Sequence, residues 1–143
     1  EGCNARGLSR GDIGTVDIVV MDVSFISQAL LYPAVCDILR EGGDFISLIK
    51  PQFEVGREHI GGGGIVRDRR AREAAVLHLL ETAADFGLAA RSLIRSPIEG
   101  GDGNIEYLAL FTAAGSAQKL PDGWERRIKE VSGEDKKCCT DSE

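Results

Sequence analysis

The feature that most constrains this chain is a pair of short, nearly uninterrupted apolar runs, each ending in a charged side chain. Residues 17–22, DIVVMD, set four apolar residues between two aspartates, and residues 44–50, DFISLIK, close on a lysine. Runs this short, rich in β-branched residues, read as strands of a parallel sheet buried on both faces. Between them, SQALLYPAVCDILREGG places apolar residues at Leu30, Leu31, Ala34, Val35, Ile38 and Leu39. That is helical spacing, with Gly42 and Gly43 as its stop. Strand, helix, strand is the repeating unit of a parallel α/β sheet.

Residues 51–68, PQFEVGREHIGGGGIVRD, show no sustained period, and four consecutive glycines predict a mobile loop. A helix is predicted from Arg69 to Phe86, with Ala75, Val76, Leu79, Leu80, Ala83 and Ala84 on one stripe and Gly87 at its end. LAARSLIR, stopped by Ser96-Pro97, and IEYLALFTA read as the last two strands. Their link of roughly ten residues is too short for a helical crossover, so the two strands pair antiparallel. The predicted class is α/β, a mostly parallel sheet ending in an antiparallel hairpin. That is the strand pattern of Rossmann-like methyltransferases, although GxGxxG occurs nowhere in the chain. Residues 115–143 read as a polar tail, with a short helix around Trp124–Val131 and disorder over the last dozen residues.

Apolar residues make up 43% and charged residues 28%, as in an ordinary globular protein. No apolar run approaches the length of a membrane span and nothing resembles a signal peptide, so a cytoplasmic protein without a membrane partner is expected. The formal net charge of −6 argues against a free-standing RNA-binding module, but leaves room for an enzyme that meets RNA at one local site. Cys3, Cys36, Cys138 and Cys139 form no CxxC pair, and there are two histidines, so no metal site is expected and the cysteines read as free thiols.

In an open parallel sheet, ligands bind at the carboxyl ends of the strands. Asp22 and Lys50 occupy two such ends. The final strand runs the other way, so Glu106, near its start, falls on the same rim. An ammonium beside a hydroxyl stabilises a developing alkoxide, and flanking carboxylates orient the lysine and tune its acidity. Each residue also has an ordinary alternative: Asp22 or Ser24 as a helix N-cap, Lys50 as a solvated strand end. Arg57, His59, Arg67, Asp68, Arg69, Arg70 and Arg72 surround the glycine loop and read either as a phosphate-facing flap or as a solvated charge run. Gln52, Phe53 and Glu54 follow Lys50 directly, and Phe53 either stacks on a base or packs into the core.

MDVSFIS, LIKPQFEVGREHIGGGGIVRD and SPIEGGDGNIEYL, in this order, resemble the TlyA group of FtsJ-like ribosomal RNA methyltransferases, also named hemolysin A. EGCNARGL resembles the group's ERTNAR segment, and the likeness spans residues 1–113. The resemblance implies a Rossmann-like fold, S-adenosylmethionine as cofactor, and methyl transfer to ribose 2′-hydroxyls of ribosomal RNA, with ribosomal RNA or a ribosomal subunit as partner. Of the group's Lys-Asp-Lys-Glu tetrad, Asp22 matches the aspartate, Lys50 the second lysine and Glu106 the glutamate. Asn4, Arg6, Asp22 and Val23 are the implied cofactor contacts, and Arg57, His59, Arg67 and Arg69 the implied RNA contacts.

The chain also departs from the group. The S4-type RNA-binding domain, the Gly-rich cofactor motif and the first tetrad lysine have no counterpart, and Gly62 stands where the group has a lysine. Residues 1–114 are therefore expected to form the second half of the methyltransferase domain, with an open apolar sheet edge along which two copies can pair. Taken alone, such a piece is expected to bind cofactor weakly and to methylate nothing measurable. The alternatives are a membrane-active hemolysin, for which no cationic amphipathic helix speaks, and a non-catalytic RNA-binding remnant.

Overall fold

A computed structural model describes residues 2–100 and 103–133. The expected disorder of the last dozen residues falls mostly on 134–143, outside the described residues. Four strands form one sheet: β1 (Val16–Met21), β2 (Leu39–Ile49), β3 (Leu88–Arg95) and β4 (Tyr107–Ala113). The order across the sheet is β1-β2-β4-β3. β1 and β2 are parallel, and β4 is antiparallel to both β2 and β3. Three strands thus share one direction, and the reversed β4 inserts between β2 and β3. The α/β class and the closing hairpin are as the sequence predicts. The insertion adds that the hairpin's second strand lies inside the sheet.

Among the described residues four helices accompany the sheet: α1 (Arg10–Ile13), α2 (Tyr32–Ile38), α3 (Arg69–Asp85) and α4 (Trp124–Ser132). α2 is shorter than the periodicity suggests. Residues Gln28–Leu31 form a 3-10 turn, and the chain turns extended at Leu39. Leu39 pairs with Val16, residues 40–43 bulge out, and the ladder resumes with Asp44 opposite Ile18. α3 begins at an Asp68 cap, whose Oδ1 accepts from the N–H groups of Arg70 at 2.9 Å and Ala71 at 3.2 Å. It stops at Gly87, whose φ of +86° and close approach to the Ser116 carbonyl leave no room for a side chain.

The core lies between the helices and one sheet face. Val76, Leu79 and Leu80 of α3 meet Phe45, Leu93 and Phe111, with the rings of Phe45 and Phe111 stacked at 5.3 Å. Each such fully buried side chain contributes about 1.5–3 kcal/mol. α4 closes the far side, burying Ile128 and Ser132, and Arg127 donates to the Leu93 carbonyl at 3.1 Å. The opposite sheet face corrects the expectation of strands buried on both sides. Ile18, Val20, Ile46 and Ile94 are exposed there, and β2 alternates buried and exposed residues from Gly43 to Ile49. The reason is that α2, α3 and α4 all pack on the other face.

Candidate active site

The rim at the carboxyl ends of β1 and β2 gathers the charged residues singled out above. Lys50 follows β2, and its Nζ lies 2.6 Å from Asp22 Oδ1, just past the end of β1. The same ammonium donates to Ser24 Oγ at 3.1 Å. The Lys50 side chain is 16% exposed against 59% for Asp22, so the cation is tucked in and its counter-ion faces outward. Ile49 pairs with Tyr107 at the end of the β2–β4 ladder, so Lys50 and Glu106 stand opposite each other one step beyond it. Glu106 is buried, and Gln52 Nε2 donates to its Oε2 at 2.9 Å. Gly100 packs against this carboxylate: a Cβ there would sit 2.8 Å from Glu106 Oε2.

The alternative role of Asp22 or Ser24 as a helix cap is taken instead by Ser27, whose Oγ accepts from Ala29 N–H at 3.3 Å. Ser27 is itself held by Glu54. Ser27 Oγ donates to one Glu54 oxygen at 2.7 Å, and the Gln28 N–H donates to the other at 2.9 Å. Burial pushes the Glu54 carboxyl above its ordinary range, outweighing these two hydrogen bonds and the nearby His78, which pull it down. Glu54 thereby ties the segment after Lys50 to the segment after Asp22.

Between these segments lies a pocket of about 540 Å³ lined by Phe25, Gln52, Phe53, Arg57, Gly64 and Asn104. Phe25 is the residue the sequence reading did not single out. It is 90% exposed, its φ is +63°, and its ring lies 4.9 Å from that of Phe53, tilted by 52°. A bulky residue held in the left-handed region costs of order 1–3 kcal/mol and is typical of functional sites. Phe53, for which the sequence leaves base stacking and core packing both open, lines the pocket rather than lying fully buried in the core.

The glycine segment is tethered rather than free. Asn104 is buried, accepts from Val66 N–H at 3.0 Å and donates to the Gly64 carbonyl at 3.0 Å. The basic residues divide into two groups. Arg72 is structural: buried, it donates to Tyr107 Oη and the Val66 carbonyl, both at 3.2 Å. Arg69 is committed to Glu73 at 2.6 Å and to the Lys129 carbonyl at 2.9 Å. His59 faces Asp68 at 3.5 Å and Glu58 at 3.7 Å. Arg57 and Arg67 are exposed and form no ion pair with the described residues.

Asn4 caps a 3-10 turn at Ala5–Gly7 by accepting from Arg6 N–H at 3.0 Å, and Arg6 points into solvent. A second cavity of about 240 Å³ runs beneath this turn, lined by Ala5, Met21, Asp22, Val23, Leu31 and Val35. Its walls are apolar except at Asp22. Of the four residues read as cofactor contacts, Asp22 and Val23 line it, whereas Asn4 and Arg6 flank it through Ala5.

Residues 1–113 match the family described as FtsJ-like methyltransferase. The chain belongs to that family. It is 40% identical over 135 residues to the 16S/23S rRNA (cytidine-2'-O)-methyltransferase TlyA of Mycobacterium tuberculosis, covering 91% of this chain and 50% of that protein. A solved structure from Streptococcus thermophilus with a provisional hemolysin name superposes with a TM-score of 0.83 at 41% identity, covering 91% of this chain and 46% of the other. The Methanococcus jannaschii fibrillarin pre-rRNA processing protein shares the fold, with a TM-score of 0.52 at 18% identity over 73% of this chain and 40% of that one. The chain spans about half the length of the curated relatives it matches across most of its own length.

Proposed function

We propose that this FtsJ-like methyltransferase chain carries the acceptor side of a reaction that moves a methyl group from S-adenosylmethionine to a ribose 2′-hydroxyl of ribosomal RNA. The observation that carries the reading is the Lys50–Asp22 pair on the strand-end rim, with Glu106 opposite. The M. tuberculosis relative is named for this reaction on cytidine, and the same substrate class is proposed here.

The apolar cavity ending at Asp22 suits the flat adenine ring of the cofactor, and a carboxylate at its rim suits a sulfonium cation. When bound, S-adenosylmethionine supplies an electrophilic methyl. Asn4, Arg6, Asp22 and Val23 would border it. The protein's own residues prepare the acceptor oxygen. The Lys50 ammonium, held by Asp22 and Ser24, places positive charge where the ribose oxygen becomes negative. Glu106 accepts a hydrogen bond from the substrate sugar and orients it. As the acceptor oxygen takes the methyl that the cofactor would supply, leaving a neutral thioether, the hydroxyl proton would pass to the Glu106 carboxylate that accepts its hydrogen bond.

Arg57 and Arg67, both exposed, face RNA phosphates, with His59 beside them. Arg69 contributes less, because Glu73 already neutralises it. The aromatic pair Phe25 and Phe53 offers a face on which a base stacks. No helix among the described residues is long and apolar enough to cross a membrane. The 143-residue chain alone is expected to bind the cofactor weakly. A titration showing micromolar affinity would contradict that part of the reading.

The test is chemical. The protein as its gene encodes it is incubated with ribosomal RNA and methyl-labelled S-adenosylmethionine, and the RNA is hydrolysed in alkali. A 2′-O-methyl ribose lacks the hydroxyl that alkali needs, so label must survive in alkali-resistant dinucleotides. Label released entirely as mononucleotides would place the methyl on a base and refute the ribose assignment.

A further inference from the structure

The structure points to Gln52 as a specificity-determining residue: we propose that its amide oxygen accepts a hydrogen bond from the exocyclic amino group of the substrate base. The inference rests on the RNA reading above and assigns to one residue the discrimination of cytosine from uracil that the reading requires.

A glutamine amide is ordinarily ambiguous, because rotation by half a turn exchanges donor and acceptor. Here the ambiguity is removed. Gln52 Nε2 donates to Glu106 Oε2 at 2.9 Å. A carboxylate only accepts, so turning the amide would set oxygen against oxygen beside a buried group. The amide oxygen must then point away from Glu106. It is buried without any hydrogen-bond partner, the one such side-chain atom among the described residues. Buried polar atoms are almost always paired, and an orphan acceptor next to a pocket is a place where a ligand completes the bonding.

Gln52 lines the same pocket as Phe25, Phe53 and Arg57. The tilted aromatic pair accommodates a planar ring, and Arg57 lies where the attached phosphate can be met. A fixed acceptor then sorts bases of equal size. The amino group of cytosine donates to it, whereas the carbonyl of uracil at the same ring position is repelled. The oxygen is closed to solvent, so the inference requires the side chains around Gln52 to shift when the base binds.

The experiment titrates the protein as its gene encodes it into end-labelled single-stranded oligo(C), oligo(U) and an oligonucleotide in which 2-pyrimidinone replaces cytosine, read by fluorescence anisotropy at neutral pH. Wild type should bind oligo(C) about fivefold more tightly than either of the others, the worth of one neutral hydrogen bond. Gln52→Met, of similar length and without an acceptor, should bind all three alike. The pyrimidinone comparison removes the amine from the ligand and so stands even if the variant folds poorly. Equal binding of all three by wild type, or a cytosine preference that survives Gln52→Met, overturns the inference and leaves the methyl-transfer reading standing. Failure to bind any of the three counts against both.

Discussion

Lys50 and Glu106 stand opposite each other one step beyond the Ile49–Tyr107 pair, yet neither is the other's partner: Lys50 bonds to Asp22 at 2.6 Å and Glu106 accepts from Gln52 at 2.9 Å. The rim thus holds a cation with its own counter-ion, and a second carboxylate oriented by a neutral donor. Asp22→Asn keeps the shape and removes the counter-ion. Because the Asp22 side chain is 59% exposed, the loss of stability should stay within about 1 kcal/mol. Methyl transfer should fall by at least about tenfold, as expected when a catalytic group loses its orienting charge. Thermal melting and methyl incorporation, measured on the same preparation, separate the two effects.

Glu54 should make stability depend on pH in a definite direction. Its folded carboxyl titrates above the ordinary range because it is buried. The folded state therefore holds the proton more tightly than the unfolded state. The associated stability is present below the unfolded value, about 4.3, and is lost as pH rises through the folded value. Glu54→Gln does not titrate. Relative to wild type its melting temperature should rise as pH increases from about 4 towards neutrality. A difference that stays flat over this range would show that Glu54 is not held as described.

Gly100 tests the orientation of Glu106. An added methyl would sit 2.8 Å from Oε2 of Glu106, the oxygen that Gln52 holds, and 3.0 Å from its carboxyl carbon, so the carboxylate must shift from its present position. Gly100→Ala should lower methyl transfer by about tenfold or more through misplacement alone. Its cost in stability should be about 1–3 kcal/mol, within the range of local overpacking. Unaltered activity would mean that the position of Glu106 does not matter to the reaction.

The open sheet face and the unpaired edge of β1 should govern self-association. Ile18 and Val20 are 58% and 72% exposed on an edge strand, the arrangement that pairs with another strand. Sedimentation should show concentration-dependent dimers of the 143-residue chain. Val20→Lys should shift them to monomer with little change in melting temperature. A wild-type chain that remains monomeric at high concentration would remove this edge as a contact between copies.

Much of this arrangement is legible in the residues themselves. DIVVMD and DFISLIK become β1 and β2 because their apolar runs are too short for anything else. The hairpin follows from a turn-rich link without a helix, and its reversal carries Glu106 to the rim occupied by Asp22 and Lys50. What escapes the sequence depends on contacts between distant positions. Gln52 meets Glu106 across 54 residues, Arg72 is drawn inside by Tyr107, and neither is marked by any local pattern. Phe25 carries no signal in the sequence, because its outward position depends on a left-handed backbone conformation that no local pattern marks. The open face escaped for another reason: an apolar run shows that a strand can be buried on both sides, not that anything covers it.

Replacing Lys50 tests the central claim most directly. Methyl incorporation into ribosomal RNA should be compared for wild type and Lys50→Met in the protein as its gene encodes it, at saturating S-adenosylmethionine, with melting curves recorded for both. The account predicts a rate lower by at least about hundredfold with the fold intact, since the ammonium is the charge that meets the developing alkoxide. A variant that methylates at half the wild-type rate or better would remove Lys50 from the chemistry.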